Sequence, residues 1–434
     1  MINTLKNTEI RISLLRNSLI LIVCWIIFFP GFFSSDSFAA VEMAKTGDLT
    51  NSFTASWALF VRIFSLFGNA IGLLTLIGGL LLVFSMTQFS YSILAEKTAA
   101  ITSFLLTLTP LIWGMGNTLW HDIHMTSGLL LVASFMVKIH KGQKITILEL
   151  GSQLILGSVL ISFRPNGLPT LLVFALIYLL FIRKTFVLKY LITAVLLTTL
   201  TTLITSNLIL GLSPINNYFA QEWMRNDISC FANSSEGAGF VEVNIPGVGS
   251  TDTWKSQAAC TFLNQAFLTG SEKVEAQEFV PSAWIVLLKQ DPLFVLDTHL
   301  KRNAYLVPLP FNGLPKPPFL HSTIEFRDQD IAWAFPAVAE KARAPMRLWN
   351  LLGSITAWAG LWSAITLILL VRFQRRELFV PLLMMIALSG VLFIFAPIPD
   401  GRYALFALIV GQMALLGKVI ECFQVGSIRR LTDQ

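Results

Sequence analysis

Long apolar runs alternate with short polar turns along most of the chain. The runs are about 20 residues long, the length that an α-helix needs to cross a bilayer. The pattern predicts ten spans, at residues 17–34, 68–86, 99–114, 119–137, 146–163, 167–183, 187–210, 349–371, 378–396 and 402–422. A further apolar stretch at 55–67 is short and contains Arg62, so we predict an interfacial helix there. The chain is therefore predicted to be an all-α polytopic membrane protein.

Composition supports this class and excludes others. Of the 434 residues, 54% are hydrophobic and 13% are charged, whereas a soluble chain has about 25% charged residues. The mean hydropathy is +0.68, the net charge is +6 and the pI is about 9.2. The basic residues fall in short turns rather than on one amphipathic face, so we expect no nucleic-acid partner.

The basic residues also predict a topology. They concentrate in the N-terminal segment, in the turns 138–144, 183–189 and 372–377, and in the C-terminal tail. By the positive-inside rule, both termini are cytoplasmic and the long polar segment 211–347 is extracytoplasmic. We predict an N-terminal transmembrane module (1–210) that includes the first outer loop, a large extracytoplasmic loop domain (211–347) and a C-terminal transmembrane module (348–434).

The segment 211–347 differs in composition from the rest of the chain. It is rich in Asn, Ser, Gly and Pro, with helical patches at 253–270 and 282–302. Its two cysteines, Cys230 and Cys260, favour a disulfide if the segment is outside the cell. Lys301 and Arg302, after a possible surface helix, are further candidates for binding a phosphate, but as neighbouring basic residues they are expected to be solvated.

The N-terminus has two interpretations. A basic start, an apolar core and the sequence SFAA at 37–40 are typical of a signal peptide. The core is nearly a full span long, however, and cleavage would discard Asp36. We therefore prefer an uncleaved first helix.

Unusual polar groups occupy four short turns that this topology places outside. These groups are Asp36 in FSSDS, the cluster LWHDIH at 119–124, FRPNG at 163–167 and APIPDGRY at 396–403. Ionisable residues at a membrane edge are costly and suggest function. An acid, a His-Asp-His group and two arginines at one interface would suit an anionic lipid-linked substrate.

Each acidic candidate also has a structural interpretation. Asp36 could act as a base toward an acceptor, or it could cap the helix that follows, together with its neighbouring serines. His121 and His124 share a helical face and could bind a transition metal, but the spacing fixes no further ligand. Asp122 is the better candidate for a second active-site acid.

The two arginines are candidates for binding a phosphate group. Arg164 precedes a proline, which keeps its backbone extended, and Arg402 lies in a loop with prolines and a glycine. A guanidinium binds phosphate through two parallel hydrogen bonds. The alternative for each is snorkelling to lipid headgroups.

Taken in order, these motifs resemble those of bacterial integral-membrane glycosyltransferases of the GT-C superfamily, a class that includes protein mannosyltransferases and oligosaccharyltransferases. The resemblance is carried by FPGFFSSDSFAAVEMAKTGDLTN, LWHDIH, FRPNGLPTLL and PIPDGRYALFAL. It covers 17–207 and 349–420, with no recognised motif in 211–347. One departure is that Asn51, Ser52 and Phe53 stand where related sequences often carry a His-Pro pair.

The resemblance implies a hexosyl or pentosyl transferase of the bacterial inner membrane that acts on the periplasmic side. The donor would be a sugar on polyprenyl phosphate, and the acceptor a glycan, lipid or protein; membrane lipids are further partners. Asp36 and Asp122 match the catalytic acids of the family, and Arg164 and Arg402 match the residues that hold the lipid phosphate. Further candidate substrate-binding residues are Asn166, Tyr403, His121 and His124. No cofactor is firmly implied, no metal ligands are assigned, and a divalent cation (Mg²⁺ or Mn²⁺) is left open.

Two other functions are compatible with some of these sequence features. An O-antigen-type polysaccharide polymerase or ligase would also have many spans, a large outer loop and paired arginines. A lipid or sugar transporter or flippase should place polar groups near the bilayer midplane, often in repeated halves. The sequence has its polar groups at helix ends and no internal repeat, which argues against transport.

Overall fold

The structure, a computed structural model, describes residues 2–47, 54–181, 185–209, 221–237, 239–247, 275–308, 333–344, 356–396 and 401–432. Within these ranges the chain is helical, and an isolated parallel bridge between Phe32 and Thr118 is the one pairing of extended backbone. The prediction of an all-α protein is therefore confirmed for the described part of the chain.

The described residues between 2 and 209 form ten helices. They are α1 (Ile2–Ile27), α2 (Ser35–Thr46), α3 (Ala55–Phe64), α4 (Ile71–Ile93), α5 (Glu96–Thr107), α6 (Pro110–Gly116), α7 (His121–His140), α8 (Ile147–Ile161), α9 (Gly167–Phe181) and α10 (Thr185–Ile209). The first helix ends earlier than the predicted span because Pro30 disfavours helical backbone just before it.

The described residues from 221 onward contain eight further helices. They are α11 (Glu222–Ala232), α12 (Phe240–Asn244), α13 (Val280–Gln290), α14 (Pro292–Arg302), α15 (Pro336–Ala342), α16 (Ala359–Arg372), α17 (Phe379–Phe395) and α18 (Leu405–Thr432). The helical patch predicted at 282–302 is two helices, because Pro292 lacks the N–H that a continuous helix would need. The patch predicted at 253–270 lies outside the described residues.

Six described helices are long and apolar enough to cross a membrane. Four lie in α1, α4, α7 and α10. The other two are Arg376–Phe395, which includes α17, and Gly401–Gln424, which begins just before α18. The pair α5 and α6 passes the same test as one span bent by 64°, at the position where Pro110 interrupts the predicted third span. The shorter apolar helices are α3, α8, α9 and α16, so the predicted count of ten spans is not confirmed.

The core is built around α7. This helix is buried along almost its whole length and packs against α4 and α8. Gly128 of α7 faces Gly157 of α8 so closely that a Cβ on Gly128 would lie 2.5 Å from the Gly157 carbonyl oxygen. Small residues at this crossing allow the two backbones to approach, as is common between membrane helices. The polar ends of α7 are thereby held in fixed positions.

The described residues between 221 and 308 contribute a separate apolar cluster. Its fully buried members include Ile228, Phe231, Val280 and Leu287, from α11 and α13. Cys230 of α11 is buried and disulfide-bonded. Cys260, its predicted partner, lies outside the described residues.

Candidate functional site

Two loops that are far apart in sequence are joined side by side at one end of the helical bundle. The first follows α1 and the second joins α6 to α7. The Phe32 amide donates to the Asn117 carbonyl at 2.9 Å, and the Leu119 amide donates to the Phe32 carbonyl at 3.1 Å. These two bonds fix the register between the loops.

Side chains strengthen the junction. Ser37 Oγ donates to the Leu119 carbonyl at 2.8 Å, and the indole N–H of Trp120 donates to Ser34 Oγ at 2.7 Å. Ser34 is the N-cap of α2, and its amide donates to Ser37 Oγ at 3.0 Å. Since Ser34 takes the capping position, Asp36 lies within the first turn of α2 and its carboxylate is available for other contacts.

The junction brings Asp36 and Asp122 to the same arginine. Arg402 Nη2 lies 2.7 Å from Asp36 Oδ2, and Arg402 Nε lies 3.9 Å from Asp122 Oδ2. Arg164 forms an ion pair with the other oxygen of Asp122. Two carboxylates and two guanidinium groups thus form one chain of alternating charge, which we call the charge quartet.

Burial differs sharply within the quartet. The Asp122 side chain is fully buried, and those of Arg164 and Arg402 are 7% and 9% exposed. The Asp36 side chain is 39% exposed. A buried charge needs an opposite charge beside it, so Asp122 depends on its arginines, whereas Asp36 can also be solvated. Asp36 is the most exposed member of the quartet.

Each quartet residue is placed by a local feature of the chain. Asp122 lies in the first turn of α7. Arg164 lies in the turn between α8 and α9, where Gly167 contacts the Ile161 carbonyl so closely that no side chain would fit. Arg402 lies in the short 3₁₀ helix Gly401–Ala404 that precedes α18. The structure therefore assembles the quartet from four separate segments of the chain.

Aromatic rings hold the guanidinium groups in place. The Tyr403 ring lies 4.1 Å from Arg164 Cζ and 5.2 Å from Arg402 Cζ. The Trp120 ring lies 4.8 Å from Arg402 Cζ. Cation–π contacts of this kind favour a partly desolvated guanidinium. Tyr403, predicted to bind substrate, thus lies between the two arginines.

The two histidines and Asn166 are not members of the quartet. His121 and His124 are buried, and the Trp57 ring lies 6.1 Å and 4.9 Å from them. His124 Nδ1 faces the Trp120 carbonyl at 3.3 Å. Asn166 is half-buried, and its carbonyl accepts from Thr170; among the described residues no polar contact joins its side chain to the quartet.

The charges of the quartet bear on whether its two carboxylates could bind a metal ion. Among the described residues, no group of three or more His, Cys, Asp and Glu could hold one. Asp36 and Asp122 both lie beside a guanidinium, which would repel a cation placed between the two carboxylates. Among the described residues, the space between Asp36 and Asp122 therefore does not favour a divalent cation.

Several contributors to the site were missed from the sequence. Trp120, Ser34 and Ser37 join the two loops, and Trp57, Phe60 and Phe163 surround His124. Trp120 lies inside the LWHDIH cluster, and its position beside Asp122 was the available signal. The expectation that Arg302 is solvated is wrong: its side chain is 2% exposed and pairs with Asp227, because α14 packs that face inward.

The helices and the quartet define a multi-pass helical membrane protein with a charge-paired polar site at one end of its bundle. No family model and no curated protein matches the chain.

Two solved structures from Archaeoglobus fulgidus show a weak similarity to the chain. One is an oligosaccharyltransferase in complex with zinc and sulfate, at 12% identity and a TM-score of 0.43, covering 95% of this chain and 49% of that one. The other is the oligosaccharyltransferase AglB in complex with an inhibitory peptide and a dolichol-phosphate, at 15% identity and a TM-score of 0.40, covering 97% and 47%. The chain thus spans about half the length of each protein. Similarity at this level identifies neither a substrate nor a reaction.

Proposed function

We propose that the protein is a membrane glycosyltransferase that moves a sugar from a polyprenyl-phosphate donor to an acceptor on the outer side of the membrane. The observation that carries this proposal is the ion pair between Asp36 and Arg402. It places a partly exposed carboxylate beside a guanidinium that can bind phosphate. The order of the motifs along the chain, which resembles that of GT-C enzymes, supports the same assignment.

In this reaction the donor phosphate binds Arg402 in competition with Asp36. Asp36, once released, takes the proton from the acceptor hydroxyl or amine. The acceptor atom forms a bond to the anomeric carbon as the bond from that carbon to the phosphate oxygen breaks. The electron pair leaves with the lipid phosphate, whose charge Arg402 and Arg164 stabilise. Asp122 holds both arginines in position.

The test uses the purified protein in liposomes with labelled polyprenyl-phosphate hexose and pentose donors. Release of polyprenyl phosphate together with a glycosylated product supports the proposal. Asp36→Asn should abolish release while the protein remains folded. The matched control is Glu42→Gln, which removes an exposed carboxylate from the same helix and should retain activity.

The outcomes separate the alternatives. Wild-type activity in Asp36→Asn would exclude Asp36 as the base. Transfer only from an oligosaccharide on a lipid diphosphate would indicate a polymerase or ligase. Movement of the lipid-linked sugar across the liposome membrane, with no transfer, would indicate a flippase.

A further inference from the structure

The carbonyl group of Phe393 lacks its ordinary helical partner. In a continuous helix it would accept a hydrogen bond from the amide of residue 397, but that residue is a proline and has no N–H. Phe393 lies in the last turn of α17, the helix that leads along the chain to Arg402. A partner for this carbonyl must come from elsewhere in the fold.

The helix α14 and the residue that follows it provide two donors. His299 Nδ1 lies 2.7 Å from the Phe393 oxygen, and Asn303 Nδ2 donates to the same oxygen at 3.1 Å. The His299 and Phe393 rings also contact each other, with centroids 5.8 Å apart. The end of α17 is therefore capped by side chains from residues 221–308 rather than by its own backbone.

The second nitrogen of His299 contacts a buried carboxylate. His299 Nε2 lies 2.8 Å from Asp227 Oδ2. The same oxygen accepts from the Trp284 indole at 2.8 Å, and Asp227 Oδ1 accepts from Arg302 Nη2 at 2.6 Å. Burial alone raises the pKa of Asp227, but the His299 hydrogen bond and the Arg302 charge outweigh it and hold this pKa below its usual value. Asp227 is thus an ionised acceptor at neutral pH.

Both ring nitrogens of His299 face hydrogen-bond acceptors. A backbone carbonyl and a carboxylate both accept hydrogen bonds, so each ring nitrogen of His299 must donate one. Only the imidazolium form carries both protons. A positive charge is also favourable at the C-terminal end of a helix, where the backbone carbonyls create a negative potential.

The groups around His299 are consistent with this charge. On α11 the nearest is Asp227, with the Glu222–Arg225 ion pair in the preceding turn. On its own helix Arg302 pairs with Asp227, and Lys301 pairs with Asp297 at the surface. The elements α13 and α17 present aromatic rings instead, from Trp284, Phe393 and Phe395, and the Trp223 ring lies between His299 and Phe395.

We propose that His299 is a positioning residue, which as an imidazolium joins Asp227 to the end of α17 and so sets the position of Arg402. The functional part rests on the glycosyltransferase proposal, because Arg402 is there the group that binds the donor phosphate. The structural part does not depend on it. Loss of the cap should leave the Asp36 base intact but place Arg402 less accurately for the phosphate.

The structural part is tested by ¹⁵N NMR of histidine-labelled protein. The chain has five histidines, and the His299 signals are assigned by their loss in His299→Gln. Both ring nitrogens should be protonated at pH 7.5. Hydrogen exchange should become faster in the peptides that cover 393–405 in His299→Gln, and to a smaller extent in Asn303→Ser, which removes the second donor. A neutral His299, or unchanged exchange in both variants, would overturn the proposal.

The functional part is tested by the kinetics of sugar transfer. His299→Gln should raise KM for the polyprenyl-phosphate donor about tenfold, the effect of losing one charge-assisted hydrogen bond, with little change in kcat. Asp36→Asn should instead abolish kcat. The control His140→Gln alters a histidine at the other end of α7 and should leave KM unchanged.

These outcomes distinguish the two proposals. An inactive wild-type protein with a doubly protonated His299 and the expected exchange would contradict the glycosyltransferase function and leave the helix cap intact. An active protein whose KM is unchanged in His299→Gln would show that His299 does not position Arg402.

Discussion

Asp36 and Arg402 form an ion pair of 2.7 Å between the first turn of α2 and the 3₁₀ helix before α18. Arg402 reaches Asp122 as well, at 3.9 Å, so one guanidinium lies between the two acids that the sequence singles out. Arg402 thus contacts one carboxylate that is partly exposed, Asp36, and one that is fully buried, Asp122. Substitutions at the two acids should therefore have different effects.

Asp122→Asn should strongly destabilise the protein. It leaves Arg164 and Arg402 buried beside a single carboxylate, and breaking a buried pair costs about 3–5 kcal/mol. Asp36→Asn, at a partly exposed position, should cost less than about 1 kcal/mol. Thermal unfolding in detergent measures both. Equal losses of stability in the two variants would contradict the effect expected from their different burial. The control is Asp297→Asn, which removes a carboxylate from a surface pair with Lys301.

Arg402→Lys should impair transfer even though it keeps the charge. A lysine ammonium lacks the planar arrangement of donors that lets Arg402 face Asp36, Asp122 and a phosphate together. We expect kcat/KM to fall by about a hundredfold, equivalent to about 2.7 kcal/mol of transition-state stabilisation. The control is Arg343→Lys, in a partly exposed pair with Glu340. Full activity in Arg402→Lys would show that Arg402 acts only as a point charge.

Trp120→Phe should weaken the junction of the two loops. It removes the indole N–H that donates to Ser34 Oγ, a bond worth about 1 kcal/mol, and weakens the contact with Arg402. Activity should fall more than stability, because Asp36 follows Ser34 closely. Trp25→Phe removes an indole bond to the Gly72 carbonyl away from the quartet and should lower stability alone. Parallel effects of the two substitutions on activity would contradict a specific role for Trp120.

Gly128→Ala should disturb the crossing of α7 and α8. The added methyl group would meet the Gly157 carbonyl at 2.5 Å, so the helices must separate at a cost of about 1–3 kcal/mol. Gly390→Ala in α17 is the matched control, because a methyl group there meets no atom within 4 Å. Thermal unfolding should show a loss for the first variant and no loss for the second. An unchanged unfolding temperature in Gly128→Ala would mean that the crossing can accommodate the added methyl group.

The contacts of Asp227 should make the stability of residues 221–308 sensitive to acid. The pKa of Asp227 is lower in the folded protein than in the unfolded chain, so its contribution is complete above the unfolded pKa and is lost as pH falls through the folded one. Hydrogen exchange of α11 and α14 should therefore accelerate below about pH 4. In Asp227→Asn, exchange should be faster at neutral pH and change less with acid. An unchanged acid response in this variant would assign the effect to other groups.

The sequence by itself determined the class of the protein and its candidate chemistry. Apolar runs of membrane length require helices, because backbone amides and carbonyls in lipid must pair within their own segment. Charged residues that survive at the ends of such runs are costly unless they are paired, and for that reason Asp36, Asp122, Arg164 and Arg402 could be selected without a structure.

Tertiary structure decided how these residues pair and how deeply each is buried. From the sequence, Arg302 was predicted to be solvated. In the structure α14 packs on α11, and Arg302 forms an ion pair with Asp227. The hydrogen bonds that join the two loops through Phe32, Ser37 and Trp120 could not be predicted either, because hydrogen bonds between distant loops leave no periodic pattern in the sequence. Local patterns report which face of an element avoids water, whereas the partner of a buried charge depends on which elements meet in space.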